Sequence, residues 1–500
     1  MMDLFSNLIL GFSVTLTPMN LLYCFFGTLL GTLIGVLPGI GVLATIAMLL
    51  PATFNMPPTS SLIMLSGIYY GAMYGGSTTS ILVNIPGEST SIVTCFDGYA
   101  MARQGRAGAA LGIAALGSLF AGCVATLLIV LFAPPLAEVA LQFGAVEYFS
   151  VIVLGLVSAV VLAHGSLVKA VAMVLLGLVL GLVGTDVNSG TPRFNFGISE
   201  LSDGISFVAI AMGMFGFAEI ITNLELKEKR EVFTSKVQNL LPTRADFKAS
   251  WKPVVRGTTI GSLLGILPGG GAIISTLASY TLEKRLADDP SRFGNGAIEG
   301  VAGPEAANNA AAQTSFIPLL TLGIPANGVM ALMLGALMIQ GIPPGPDVIA
   351  KQPELFWGLI TSMWIGNLML VALNLPLIGI WISLLKVPYR LLYPAILMFC
   401  CIGVYSLNNS TFDVLMTAGF GLFGYIFNKL DCEAAPLLMG FILGPIMEEN
   451  LRRAMLLSRG NPIVFVTSPI SLAMLIMAAL LLLTIVVPAI RQKREGSLQE

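Results

Sequence analysis

The amino-acid sequence predicts an all-α polytopic membrane protein with about 10 to 12 membrane segments arranged in two repeats. The chain has 500 residues, of which 56% are hydrophobic and 10% charged, whereas soluble domains carry about 25% charged residues. A segment also occurs twice, at residues 27–41 and 257–271, with 9 of 15 aligned residues identical. In both copies Pro-Gly-x-Gly interrupts an apolar stretch. Matching interruptions in two halves are typical of the ligand site of membrane transporters.

Composition narrows the possible functions. The net charge of −2 offers no basic surface for nucleic acid, so we expect no nucleic-acid partner. The six cysteines form no CxxC pair, and the single histidine, His164, is too few for most histidine-based zinc sites. We therefore expect no cofactor and no site for a transition metal.

Two kinds of apolar segment alternate along the chain. Eight are continuous and predict ordinary membrane helices: 111–132, 148–164, 168–184, 207–221, 355–375, 391–407, 414–427 and 470–490. Four are studded with Gly, Pro, Asn, Ser and Thr and predict broken helices or re-entrant hairpins: 21–53, 62–85, 254–280 and 306–339. Irregular backbone survives at membrane depth only where protein or a polar cavity surrounds it.

A basic segment divides the chain. We assign residues 1–223 to a first membrane repeat, 224–256 to a linker, 257–460 to a second repeat, and 461–500 to a final transmembrane helix and tail. The linker holds eight Lys or Arg against four Asp or Glu, and the tail is also basic near residue 491. The positive-inside tendency therefore places the linker and the C-terminus in the cytoplasm.

A second pair of segments supports duplication. Thr79-Ser80 and Ile85-Pro86 correspond to Thr314-Ser315 and Ile324-Pro325 once about four residues are inserted. Inversion of the copies requires an odd number of crossings between them. Inverted repeats are the commoner arrangement in secondary transporters with broken helices, and we take this as the working interpretation.

The interruptions themselves suggest a chemistry. Pro-Gly-x-Gly leaves free N–H groups on one side of the break, which suit a carboxylate, and free C=O groups on the other, which suit Na⁺ near Pro38 and Pro268. Nearby hydroxyl and amide side chains can serve either ligand. The candidate substrate-binding residues are Gly39, Gly41, Ser77, Thr78, Thr79, Asn84, Gly269, Gly271, Asn308, Asn309, Thr314, Ser315 and Asn327.

Each of these residues also has a structural interpretation, because small residues let membrane helices pack closely. Glu88 and Glu305, with Pro86 and Pro325 in the neighbouring turns, are candidates for ion coupling, since intramembrane carboxylates are commonly functional. Glu88 could equally cap a helix start, and a structural role is favoured for Glu305. For Asp186 we favour a solvated loop over a role at the mouth of a pathway.

Six stretches carry a family resemblance: residues 31–41, 70–77, 84–88, 96–99, 184–186 and 300–309. They look like the large membrane subunit of the tripartite tricarboxylate transporters, and the resemblance extends over roughly residues 10–490. It implies a multi-pass permease of the bacterial inner membrane that works with a periplasmic substrate-binding protein and a small membrane subunit. It also implies uptake of citrate or another small carboxylate, driven by a Na⁺ or H⁺ gradient.

A related large subunit, that of the tripartite ATP-independent periplasmic transporters, suggests an elevator-type secondary transporter in contact with membrane lipid. The residues leave two other classes open. A channel can also be built from re-entrant loops, although two unlike copies in one chain favour alternating access. An intramembrane enzyme is disfavoured, because Gly184-Thr185-Asp186 lacks the second facing aspartate that an aspartyl protease needs.

Overall fold

The computed structural model describes residues 2–37, 41–163, 166–186, 189–225, 240–267, 271–384 and 389–486. These ranges are predominantly helical, which agrees with an all-α membrane protein. By length and composition, four helices in the described ranges can cross a membrane: Pro18–Val36, Ala107–Ala140, Phe207–Glu225 and Pro353–Asn374. Shorter apolar helices accompany them. The number of crossings, the inverted repeats, the elevator mechanism and the domain boundaries stay predictions.

The first half of the chain contains ten α-helices, two short 3₁₀ turns and one π-helical segment within its described residues. The helices are α1 Met2–Thr15, α2 Pro18–Val36, α3 Val42–Thr53, α4 Pro58–Val83, α5 Ile92–Arg103, α6 Ala107–Ala140, α7 Ala145–Leu162, α8 Leu167–Gly181, α9 Phe207–Ala211 and α10 Ala218–Glu225. The 3₁₀ turns are Ser89–Ser91 and Ser199–Leu201, and the π-helix Met212–Phe217 joins α9 to α10.

The described residues of the second half contain thirteen α-helices and the 3₁₀ turn Pro290–Arg292. The helices are α11 Arg244–Gly265, α12 Gly271–Leu286, α13 Glu299–Thr314, α14 Phe316–Leu322, α15 Gly328–Ile339, α16 Asp347–Lys351, α17 Pro353–Asn374, α18 Ile378–Leu384, α19 Tyr389–Asn408, α20 Thr411–Lys429, α21 Ala434–Leu457, α22 Val464–Thr467 and α23 Pro469–Val486.

The continuous apolar segments are confirmed as helices over their described residues, in α6, α7, α8, α9–α10, α17, α19, α20 and α23, whereas residue 164 and residues 487–490 lie outside the described ranges. Helix α21 was not among the predicted apolar segments, because its second half is charged. The prediction of a break within residues 62–85 is wrong, because α4 runs without interruption. Its glycines keep helical geometry and serve close packing instead. The segment assigned to the linker also includes the first turns of α11, which begins at Arg244.

Two interruptions occur at corresponding places in the two halves. Helix α2 ends at Val36 and α3 begins at Val42, while α11 ends at Gly265 and α12 begins at Gly271. The helices before both breaks start at a threonine whose side chain accepts a backbone N–H, Thr17 for α2 and Thr243 for α11. Of the predicted break residues, Pro38, Gly39, Pro268 and Gly269 lie outside the described residues.

A second correspondence appears further along each half. Helix α4 ends at Asn84 and α14 ends at Gly323, both in the left-handed conformation, with φ of 57° and 71°. In both places Ile-Pro and one further residue follow. The next residue is Glu88 before the Ser89–Ser91 turn, and Asn327 before α15. The local chain path after the two Ile-Pro pairs is therefore alike.

Glycine contacts repeat in the same register. Gly31 in α2 faces Ile68 in α4, and Gly261 in α11 faces Ala307 in α13. A β-carbon on either glycine would lie 2.4 Å from the Ile68 carbonyl oxygen or 2.2 Å from that of Ala307. Backbones approach this closely in membranes only through small residues. The Gly-rich repeat thus forms the helix contacts that hold each break in place.

The structure departs from the all-helical prediction at one short hairpin. Gly184–Thr185 pairs with Pro192–Arg193 in a two-stranded antiparallel sheet. Asp186 does not lie in a solvated loop, because its side chain is 7% exposed and ion-paired with Arg193 and Arg452. Arg193 also donates to Glu448 of α21 at 2.9 Å. The motif at residues 184–186 therefore attaches this hairpin to α21.

We predict that Gly31→Ala destabilises the protein by about 1–3 kcal/mol, because the added methyl group would overlap the backbone of α4. Gly379→Ala is the matched control, since nothing lies within 4 Å of that β-carbon position. Thermal unfolding in detergent, followed by size-exclusion chromatography, measures the difference. Equal melting temperatures for the two variants would contradict the packing described above.

Candidate functional site

The first polar site is the start of α3, directly after the first break. The Gly41 N–H donates to Oε1 of Glu219 at 2.7 Å, and the Val42 N–H donates to Oε1 of Glu88 at 2.9 Å. The first N–H groups of a helix have no partner inside the helix and carry partial positive charge, which favours carboxylates. This helix start is therefore a carboxylate-binding site whose occupants in the structure are two side chains of the chain itself.

The structure bears on one of the two interpretations of Glu88, the capping of a helix start. Its carboxylate does cap a helix, but that helix is α3, 46 residues earlier in the sequence, and not the turn that follows Glu88. The following turn is capped by Ser91, whose hydroxyl accepts the Glu88 N–H at 3.3 Å. Because Glu219 binds the adjacent peptide group, two carboxylates meet at one helix end. The role of Glu88 in ion coupling stays a prediction.

The second half of the chain contributes to the same region. Asn327 accepts the Met330 N–H at 2.9 Å and so caps α15, and its amide donates to the hydroxyl of Tyr69 in α4 at 3.2 Å. Gly328 packs against the side chain of Leu43 in α3. In the opposite direction, α12 contacts the Ser89–Ser91 turn of the first half. The helix after each break therefore contacts the segment after the Ile-Pro pair of the other half.

A second polar cluster surrounds Glu305 in α13. The Ser77 hydroxyl donates to Oε2 of Glu305 at 2.5 Å, and Thr94 of α5 donates to Oε1. Asn309 donates to the Ser118 hydroxyl of α6 at 2.7 Å. Glu305 is 1% exposed, and among the described residues no Lys or Arg forms an ion pair with it. The cluster thus joins four helices around a buried carboxyl group without a basic partner.

The remaining predicted residues are spread over several positions. Thr79, Thr314 and Ser315 donate to carbonyl oxygens of their own helices, at 2.9, 3.1 and 2.7 Å. Gly271 approaches the α11 backbone across the second break, because its β-carbon position is 2.0 Å from the Leu264 carbonyl oxygen. Asn84 ends α4. These contacts are structural, and a role for the residues in binding substrate stays a prediction.

Among the described residues, Asn308, and Gln313 five residues further along α13, have side-chain amides that are wholly unpaired. Both are 1% exposed, and neither amide oxygen nor amide nitrogen has a hydrogen-bond partner in the described part of the chain. Buried amides without partners are rare and costly in native proteins, since each unpaired group loses its hydration. The position of these two side chains on α13, beside the Glu305 cluster, makes them candidates for contact with a bound molecule.

Sequence reasoning missed Glu219, although the signal was present. Glu219 lies within the apolar segment 207–221, and an acidic residue inside a membrane helix is a functional candidate by default. Thr94 and Ser118 carried no comparable signal. Hydroxyls on apolar helices are common, and only the packing of α5 and α6 against α13 brings these two to Glu305 and Asn309.

Asp97, from the motif at residues 96–99, has a structural task. Its Oδ1 accepts the N–H groups of Gly294, Gly296 and Ala297 at 2.8–2.9 Å, and its Oδ2 accepts the Tyr280 hydroxyl at 3.0 Å. The side chain is fully buried. Asp97 therefore fixes the loop that leads into α13 and, through it, the position of Glu305.

The cavities differ sharply in polarity. A cavity of about 450 Å³ between α7, α14 and α23 has an almost wholly apolar lining that includes Leu154, Ile324 and Met477. A carboxylate would lose its hydration there without replacement. A much smaller cavity, of about 10 Å³, lies beside Ser77 and Ser118. Within the described residues, the polar clusters and not the apolar cavity are therefore the candidate functional site.

These features define a class: a polytopic α-helical membrane protein with interrupted helices, half-buried carboxyl groups at the first interruption and a buried carboxyl group within α13. The model of the tripartite tricarboxylate transporter TctA family matches residues 21–439, and the chain belongs to that family. The predicted resemblance is thereby confirmed. TctA is a transporter family, which agrees with the expectation that the chain is not an enzyme.

Two similar proteins come from Agrobacterium vitis, and both are described as uncharacterised. The chain is 61% identical over 495 residues, 99% of each chain, to a 52.8 kDa protein in the TAR-I ttuC′ 3′ region. It is 60% identical over 235 residues, 47% of this chain and 97% of the relative, to a protein in the TAR-II ttuC′ 3′ region. No solved structure matches the chain.

We predict that Asp97→Ala lowers the free energy of unfolding by at least about 3 kcal/mol, because hydrogen bonds to a charged group contribute about 1.5–3 kcal/mol each. Asp97→Asn keeps an oxygen for the three backbone N–H groups and should lie between wild type and Asp97→Ala. Melting temperatures in detergent give the order. Full stability of Asp97→Ala would show that the loop before α13 does not depend on this carboxylate.

Proposed function

We propose that this chain is the large permease subunit of a tripartite secondary transporter for citrate or another small carboxylate. It would work with a periplasmic substrate-binding protein and a small membrane subunit in the bacterial inner membrane. A Na⁺ or H⁺ gradient would drive import, by an elevator movement of a substrate-holding core. Membership of the TctA family supports this assembly. The sequence contains no Gly-x-x-x-x-Gly-Lys-[Ser/Thr] phosphate loop, which favours an ion gradient over ATP as the energy source.

The observation that carries the proposal is the binding of carboxylates at the start of α3. The N–H groups of Gly41 and Val42 hold the Glu219 and Glu88 side chains, so the geometry suits a carboxylate. A substrate carboxylate can form the same hydrogen bonds by displacing one of these side chains. Helix ends at interrupted membrane helices bind anionic substrate groups in this way without a buried arginine.

Charge supplies the reason for ion coupling. A substrate that enters this region adds one or more negative charges to two carboxyl groups that already bind adjacent peptide groups. Like charges this close in a medium of low dielectric constant repel strongly, and burying them without compensation is costly. Protons on the glutamates or a bound Na⁺ would compensate the charge. Substrate and cation would therefore bind together, which is the requirement for symport.

Uptake into proteoliposomes tests the proposal. The vesicles contain this chain and its small partner, the binding protein is added outside, and the radiolabelled panel comprises citrate, succinate, tartrate and benzoate. We expect saturable accumulation of at least one carboxylate, dependent on the binding protein and on an inward Na⁺ or H⁺ gradient. Absence of uptake for the whole panel under both gradients would contradict carboxylate symport, and unitary currents would support a channel.

We further predict that Glu88→Gln and Glu219→Gln each reduce gradient-driven uptake at least roughly tenfold while the protein remains folded. Glutamine keeps an oxygen for the α3 N–H groups but cannot carry the charge that the coupled cation balances. Glu354→Gln, at an exposed position at the start of α17, is the matched control. Wild-type uptake by both site variants would remove the carboxyl pair from the coupling mechanism.

A further inference from the structure

A small polar cavity lies between α4, α6 and the end of α17. Its volume is about 10 Å³, which is close to the minimum for one water molecule. The oxygen-bearing side chains in its wall are those of Tyr74, Ser77, Thr78, Ser118 and Asn374, and the rest of the wall is aliphatic. The cavity therefore has room for one small occupant and a wall that offers it neutral oxygen atoms.

Asn374 presents an oxygen that has no partner. Its amide nitrogen donates to the Leu370 carbonyl at 2.9 Å and lies 3.4 Å from the Thr32 hydroxyl. Rotating the amide by 180° would set oxygen against the Leu370 carbonyl oxygen, so these contacts fix its orientation. The side chain is 5% exposed, and Oδ1 has no hydrogen-bond partner among the described residues. A proton donor or a cation beside this buried acceptor would offset the free-energy cost of its lost hydration.

The two serines of the wall are fixed by the Glu305 cluster. The single Ser77 proton is shared between two acceptors, Oε2 of Glu305 at 2.5 Å and the Met73 carbonyl oxygen at 3.0 Å, so the remaining lone pairs of Ser77 can only accept or coordinate. Ser118 accepts the Asn309 amide at 2.7 Å and keeps a second lone pair. Hydroxyl and amide oxygens are ligands for hard cations and not for soft ones.

For an ionised Glu305 the charge balance favours a cation over a water molecule, whereas a protonated Glu305 requires none. Glu305 is buried without a basic partner in the described part of the chain, and its carboxyl group is separated from the cavity by the Ser77 hydroxyl. An isolated buried carboxylate is expensive, and a positive charge one hydroxyl away offsets that cost. One carboxylate balances one monovalent charge. A divalent ion would remain uncompensated.

We propose that this cavity is a Na⁺ site, formed by the oxygen atoms of Asn374, Ser77, Thr78 and Ser118 and balanced by Glu305. The inference rests on the proposed function only in assigning the ion a role in coupling; binding itself requires neither substrate nor partner subunits. A dehydrated Na⁺ is smaller than a water molecule and fits the volume, whereas K⁺ is about as large as a water molecule and would fill it completely. The site is separate from the carboxylate pair at the start of α3.

Thermal unfolding of the purified full-length chain in detergent tests the site. Na⁺ is titrated against choline or K⁺ at constant ionic strength, without any carboxylate. Because a ligand that binds only the folded state stabilises it in proportion to ln(1 + [L]/Kd), we expect a saturable rise in melting temperature with Na⁺, a smaller one with K⁺ and none with choline. Equal effects of Na⁺, K⁺ and choline would overturn the proposal and leave the cavity with water only.

Variants of Asn374 locate the effect. Asn374→Leu removes the oxygen and should raise the half-saturating Na⁺ concentration at least roughly tenfold. Asn374→Asp keeps an oxygen, adds a charge and should lower that concentration, so it remains informative if Asn374→Leu fails to fold. Asn450→Ala in α21, away from the cavity, should leave it unchanged. Unchanged Na⁺ dependence in Asn374→Asp, or in a folded Asn374→Leu, would overturn the assignment.

Failure of the Na⁺ site and failure of the proposed transport function give different results. Carboxylate uptake driven by a pH gradient, with no Na⁺ effect on melting, would keep the transporter and remove the Na⁺ site. A Na⁺ effect that depends on Asn374, with no carboxylate uptake, would keep the site and remove the proposed substrate class.

Discussion

Every backbone N–H group that a helix break exposes inside an apolar environment must find a partner, and this requirement organises the molecule. At the first break the partners of Gly41 and Val42 are carboxylates that come from α10 and from the loop after α4. Two segments far apart in the sequence must therefore converge on the start of α3. Their convergence depends in turn on α4 lying tightly against α2, which the glycines at the α2–α4 contact make possible.

The second constraint is charge. Glu305 is buried and Glu88 and Glu219 are half-buried, and within the described ranges none of the three forms an ion pair with Lys or Arg. The basic side chains form ion pairs elsewhere, as Arg193 does with Asp186 and Glu448 and Arg256 does with Glu283. Carboxyl groups left without basic partners must rely on hydrogen bonds, protons or small cations. The lack of basic partners among the described residues therefore leaves these carboxyl groups available to protons or small cations, which agrees with a protein that moves ions.

The helix after each break contacts the segment that follows the Ile-Pro pair of the opposite half. The two halves are therefore in contact at both breaks. Leu43 packs against Gly328 on one side, and α12 packs against the Ser89–Ser91 turn on the other. The apolar cavity between α7, α14 and α23 borders the second break, because its lining includes Leu267, directly before the break, and Ile324 of the second Ile-Pro pair.

The sequence by itself determined the membrane class, the family, the helices over the continuous apolar segments and the positions of the two interruptions. These follow from composition, from Pro and Gly, and from local spacing. It misjudged α4, because a Gly-rich helix and a broken helix have the same composition and only the contact with α2 distinguishes them. Tertiary structure alone decided that Glu88 caps α3, that Glu219 joins it, and that Ser77, Thr94 and Glu305 form one cluster. Such contacts join residues up to 228 positions apart, and their geometry depends on how whole helices pack, which no local pattern encodes.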